Sequence, residues 1–262
     1  MILRATFENI YSFKDETSVS FVAGKGSVHP AHVSRAQKRD DISALKFGII
    51  YGANASGKSN VIKAIALLQQ IALGRFPIGD FEPFKLVKQI KPVSKIEIEF
   101  KTDGRYFAYG VEFSANGIRE EWLYEINARS DKKIFTRKTD SDGNQFEFGD
   151  IHGDNSVGQF VKFLGEGTPA KRSFLAEYIE RNGKGLCPIK VAYQWFATGL
   201  RIIFPGTRFR GLSFNAEQDE KFHESTHRLL QYFNTGIVDV RRFTVQSKEE
   251  TNLPERLLEK II

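Results

Sequence analysis

Apolar and polar positions along the chain change period several times, and each change marks a new element. Ile2, Phe7 and Ile10, then Val19 and Phe21, flank a polar turn at Lys14-Asp15-Glu16, a pattern that predicts two short paired strands. Residues 24–43 are polar with Gly, Pro and His, and they lead into the apolar run Phe47–Tyr51, which predicts a buried strand. After a glycine-rich turn, Val61, Ile62, Ile65, Ala66, Leu68 and Ile71 recur at helical spacing until Gly74 and Pro77 end the helix.

From Ser94 the period becomes two. Ile96, Ile98 and Phe100, then Phe107, Tyr109, Val111 and Phe113, flank the turn Thr102-Asp103-Gly104 and predict an antiparallel meander. It continues through Trp122, Tyr124 and Ile126, then Ile134-Phe135 and Phe146–Phe148, with a second turn at Ser141–Asn144. Helices are expected around Val157–Leu164, Phe174–Ile179 and Pro188–Trp195. Leu200–Phe204, closed by Pro205-Gly206, predicts another buried strand, and Phe222, Thr226, Leu229, Leu230 and Phe233 mark an amphipathic helix. A strand is expected over Ile237–Val245 and a helix from Asn252-Leu253-Pro254 to Ile262 with no stopping signal, as though the chain were cut there. The fold class is therefore α/β in an α+β arrangement, with strands and the glycine-rich turn in residues 1–150 and a mainly helical region with further strands in 151–262.

Composition narrows the class. With 262 residues, 41% hydrophobic and 13% aromatic, the chain can bury a substantial core. The single Cys187 excludes an intrachain disulfide, and a start without an apolar leader argues for a soluble protein of the reducing cytoplasm, with no membrane-spanning run. A net charge of +6 favours phosphate-rich partners, but the local cluster Arg35, Lys38 and Arg39 adjoins Asp40 and Asp41 and reads as a solvated loop.

The segment Gly52-Ala53-Asn54-Ala55-Ser56-Gly57-Lys58-Ser59 has two glycines separated by four residues and followed by Lys and Ser, between a predicted strand and a predicted helix. The glycines admit backbone torsions and close approach that let successive N–H groups face phosphate oxygens. Lys58 is expected to bridge β- and γ-phosphates, Ser59 to place its hydroxyl on Mg²⁺, Asn54 to reach the γ-phosphate or attacking water, and the helix opening through Asn60 to direct its positive end at the anion. ATP with magnesium is the expected ligand.

The form G-x-N-x-S-G-K-S resembles the ATP-binding cassette ATPase heads of the SMC, RecF and OLD group. Asn9-Ile10-Tyr11-Ser12-Phe13-Lys14 is similar to the Asn-Phe-x-Ser-Phe segment of that group, which implies that Ser12, Phe13 and Lys14 flank the nucleotide. The chain is most similar to the N-terminal half of bacterial AAA/RecF-like ATPases of anti-phage defence. The resemblance implies an N-terminal head lobe with an antiparallel meander plus a helical insertion. It also implies a homo-oligomer that closes head to head, an effector protein such as a nuclease, and DNA or RNA as a possible partner. Two parts of the family pattern are missing: an apolar strand ending in Asp-Glu, since Ile96-Glu97-Ile98-Glu99 alternates and Asp239 lacks a following Glu, and a Ser-Gly-rich signature segment. Gln159 and Gln194 are equivalent candidates for the expected magnesium-contacting glutamine. A non-hydrolysing nucleotide-dependent scaffold is the corresponding alternative.

Two other chemistries compete. His223-Glu224-Ser225-Thr226-His227 matches H-E-x-x-H, the zinc-protease pattern, with Glu249 or Glu250 as a third ligand. His29, His32 and His152 have no such frame. Aromatics interleaved with Lys101, Arg105, Arg119, Lys132 and Arg137 would suit single-stranded nucleic acid if they shared an exposed sheet face.

Overall fold

The structure is a computed structural model and describes residues 1–24, 29–35, 41–75, 82–87, 92–127, 129–141, 143–207 and 220–237. Residues Met1–Ile202 form one compact unit and Ile203–Ile262 a second.

The period-two stretches become one seven-stranded sheet in the order β2-β1-β5-β6-β7-β8-β9. Its strands are β1 (Ile2–Glu8), β2 (Thr17–Ser20), β5 (Ser94–Thr102), β6 (Arg105–Ser114), β7 (Gly117–Glu125), β8 (Lys132–Asp140) and β9 (Gly143–Phe148). All neighbours are antiparallel, with Arg4 opposite Ser20, Ile98 opposite Tyr109 and Arg137 opposite Phe146. A separate pair, β3 (Val33–Ser34) and β4 (Ala44–Leu45), precedes the glycine-rich loop. The opening hairpin and the meander thus form as the alternation predicts.

Alternation also decides which face is covered. Ile96, Ile98, Phe100, Phe107, Tyr109, Val111 and Phe113 are fully buried on the inner face. Against them lie α1 (Lys58–Ala72), α2 (Asn155–Glu166), α3 (Phe174–Glu180) and α4 (Cys187–Gln194), the last continuing as a π-helical turn at Trp195–Gly199. Phe100 stacks on Trp195 at 4.0 Å between ring centroids, and Tyr109 meets Phe196 edge-on. Each fully buried aromatic or aliphatic side chain of this kind contributes about 1.5–3 kcal/mol. α1 is fixed by Val61, Ala64, Ile65, Leu68 and Ile71 on its buried face, and Gln69 Nε2 donates to the Phe196 and Leu200 carbonyls. Because α2 to α4 pack on the sheet, residues 151–202 belong with the strands in the first unit.

A charged pair sits inside this core. Arg137 and Glu121 are both buried, 3.6 Å apart. The Glu121 carboxylate accepts the Phe174 and Leu175 N–H groups that open α3, and the Tyr109 hydroxyl. Arg137 donates to the Arg172, Thr168 and Pro169 carbonyls, so sheet and helical layer are joined by one polar network. Burial pushes the Glu121 carboxyl up, while Arg137 and the donated hydrogen bonds oppose the shift.

Two expected strands are not found. Phe47, Ile49, Ile50 and Tyr51 are 54%, 78%, 44% and 91% exposed, and the segment is in no sheet. Leu200–Phe204 likewise forms no strand, although the Pro205-Gly206 turn forms with Thr207 N–H donating to the Phe204 carbonyl. A strand exists only where a neighbour accepts its hydrogen bonds, and no described strand runs beside either segment. In the second unit, the expected amphipathic stripe lies on or beside α5 (Glu220–Tyr232), where Phe222, Thr226 and Leu230 are half-buried and Leu229 and Phe233 exposed. The strand expected over Ile237–Val245, apart from Ile237, and the helix expected over Asn252–Ile262 lie outside the described residues.

Candidate functional site

The glycine-rich loop runs into α1, whose cap is Gly57 at φ 89°. Gly52 and Ala55 also have positive φ, at 154° and 64°, so the main chain reverses direction repeatedly within six residues. Turns in which left-handed residues recur in this way are the kind that can gather main-chain N–H groups around an anion. No side chain caps the α1 N-terminus and no acidic residue lies in its first turn, leaving its positive end to an external anion.

Lys58 closes the loop on itself. Its ammonium donates to the Gly52 carbonyl at 2.9 Å and the Ala53 carbonyl at 2.6 Å. The same group is therefore held against the loop by two neutral acceptors, which a charged phosphate oxygen would outcompete. Ser56 N–H donates to the Ala53 carbonyl and Asn60 N–H to Gly57, fixing both ends of the turn. Asn54, Ser56 and Ser59 are exposed, as is Ala53. Ser59 stands in the first helical turn.

The second wall comes from the start of the chain. Beyond β1, Asn9 and Tyr11 take left-handed φ of 49° and 52°, and Ile10 and Phe13 exchange main-chain hydrogen bonds, folding residues 9–13 into a tight turn. The turn is braced from outside. Asn9 Nδ2 donates to the Val93 carbonyl at 2.6 Å, the buried Ser94 hydroxyl donates to the Asn9 carbonyl, and Tyr11 N–H donates to the Glu82 carbonyl at 2.8 Å. The result is that Ser12 Oγ touches the position a Cβ on Gly57 would need. Phe13 is stacked on Phe7 at 5.0 Å and belongs to the packing, and Lys14 is exposed. Asn9, quoted above only as the opening of the family-like segment, and Ser94, which the sequence reading did not single out, thus hold the turn that carries Ser12. The alternation around Ser94 identifies it as an inward position, but nothing local identifies its partner.

The remaining candidates are elsewhere. Glu97 accepts from Trp122 Nε1 at 2.6 Å and Glu99 faces Arg4 at 3.6 Å, both on the outer face of the sheet, opposite α1. They cannot serve as the magnesium carboxylates. Asp239 lies outside the described residues. Gln159 is exposed on α2 and Gln194 exposed at the end of α4. His32 packs edge-on against Phe47 at 4.9 Å, with His29 beside it.

His223 and His227 lie one helical turn apart on α5, with Glu224 3.7 Å from Arg228. No group of three or more His, Cys, Asp or Glu able to hold a metal exists among the described residues, and Glu249 and Glu250 lie outside them. The metalloprotease reading is left with two ligands and no support. Part of the expected aromatic platform is core. Phe100, Phe107, Tyr109 and Phe135 point inward and Arg137 is fully buried, while the outer face carries Glu97, Glu99 and Glu112. Burial, together with neighbouring carboxylates, pushes Glu99 and Glu112 up.

A glycine-rich loop at the mouth of a helix, on a mixed sheet-and-helix scaffold, defines an α/β P-loop NTPase-like domain. Residues 48–175, just under half of the chain, match the family model described as "AAA domain, putative AbiEii toxin, Type IV TA system". That match covers the loop, α1 and the meander, and it supports an AAA-type ATPase domain of the broad P-loop AAA/ABC-like family. No curated protein matches the chain. No helix among the described residues is long and apolar enough to cross a membrane.

Proposed function

We propose that this chain binds ATP with Mg²⁺ at residues 52–59 and acts as the nucleotide-binding part of an ATPase head of the SMC, RecF and OLD type. Binding closes two heads around the triphosphate and passes a conformational signal to an effector such as a nuclease in anti-phage defence. The observation that carries the reading is the uncapped α1 N-terminus, with Lys58 poised on the Gly52 and Ala53 carbonyls. Gly57 holds its left-handed torsion without strain and carries no Cβ to collide with Ser12 Oγ, which keeps the turn of the loop in place. The bound nucleotide supplies the transferable γ-phosphoryl group. The chain's own residues orient it through main-chain N–H groups, neutralise it through Lys58 and hold its metal through Ser59.

Hydrolysis also needs a carboxylate to position magnesium and water. Glu97 and Glu99 face away from the loop, so the chain by itself binds ATP and turns it over slowly. The same observation favours, as a second reading, a scaffold that holds nucleotide without hydrolysing it.

Calorimetric titration with MgATP separates these readings from the absence of a site. Wild type is expected to bind, and Lys58→Ala to weaken binding by roughly a hundredfold or more, since two charge-assisted hydrogen bonds at about 1.5–3 kcal/mol each are removed. Equal affinities for the two proteins would remove the assignment.

A further inference from the structure

β9 ends the sheet, with β8 its single strand neighbour among the described residues. In an antiparallel pair alternate residues direct their N–H and C=O outward, so one side of this six-residue strand presents an unpaired ladder. Beside that edge runs α2. It starts at Asn155, beyond the end of β9, and returns along the strand until Asn144 Nδ2 ties its last turn through the Gly165, Glu166 and Thr168 carbonyls. A groove of about 540 Å³ lies between edge and helix, floored by Phe146, Phe148 and Ile151 and bordered by Lys162 and Glu166.

The border charges are one helical turn apart and opposite in sign. Neither forms an ion pair with another described residue, and Phe163 between them is 72% exposed. A two-fold axis normal to the sheet at β9 would place the two β9 strands antiparallel and the two α2 helices antiparallel on one face. Lys162 of each copy then faces Glu166 of the other, and both Phe163 rings are covered. The pattern is complementary to itself, as an isologous contact requires.

We propose that two copies of this chain associate through the β9 edges and α2 helices, extending the sheet across the two-fold axis. β1, which leads into the Asn9–Phe13 turn, and β9 lie near opposite ends of the sheet, so this contact leaves the phosphate loop free and needs no nucleotide.

Sedimentation velocity on nucleotide-free protein at tens of micromolar tests it. Wild type and Lys58→Ala are expected to sediment as dimers. Lys162→Glu and Glu166→Lys, each placing like charges across the axis twice, are expected to weaken the dimer at least about tenfold, and the double charge reversal to restore it. Both positions are exposed, so circular dichroism is expected to remain unchanged. A monomeric wild type overturns the proposal, including one in which the groove instead captures an extended peptide. So do single variants that dimerise normally, or a double reversal that fails to recover the dimer.

Discussion

Glu121→Ala is expected to destabilise the folded chain by about 3–5 kcal/mol, the cost of stranding one member of a buried ion pair. For a unit of this size that corresponds to a fall in Tm of roughly 6–20 °C. The reason is that Arg137 stays buried without its charge partner, while the Phe174 and Leu175 N–H groups and the Tyr109 hydroxyl lose their acceptor together. Arg137→Ala is expected to cost a similar amount, and the double variant less than the sum, because both changes dismantle the same network. Denaturant unfolding of the three variants measures this. A loss below about 1 kcal/mol for Glu121→Ala, the range of an exposed pair, would show that the network does not hold α3 to the sheet.

Gly57→Ala is the second large effect, and it falls on binding. The residue's φ of 89° costs a side-chain-bearing residue about 1–2 kcal/mol, and overpacking against Ser12 adds about 1–3 kcal/mol. The exposed loop relieves both by turning its amides away, so MgATP affinity is expected to fall by at least about thirtyfold with little change in Tm. Ser12→Gly in the same chain removes the contact but not the torsional cost, and is expected to recover part of the loss. Full affinity in Gly57→Ala would mean that the loop does not use this conformation to bind.

Much of this arrangement is legible in the sequence. The meander is, because β5 alternates strictly, its partners carry the same period in most positions, and Asp103-Gly104 and Asn116-Gly117 mark its first two turns. The loop is too, since its glycines, Lys58 and Ser59 lie within eight consecutive residues. What escaped depends on partners distant in the chain. Phe47–Tyr51 has the composition of a buried strand, yet composition does not supply the neighbouring strand that would make it one. Arg137 occupies a position where period two places a core residue, and only Glu121 and the carbonyls of residues 168–172 make a guanidinium tolerable there. Ser12 reaches Gly57 because Asn9 and Tyr11 adopt left-handed torsions, and the brace for that turn comes from Val93 and Ser94, more than eighty residues away.

The central claim is that the main-chain N–H groups of residues 52–59 take up a triphosphate. Amide ¹⁵N–¹H spectra recorded during MgATP addition test it directly. Large saturable shifts are expected at Gly57, Lys58 and Ser59, with smaller ones at Ser12, and far weaker changes when AMP replaces ATP. Spectra in which those amides stay fixed at saturating MgATP, or respond equally to AMP, would contradict it.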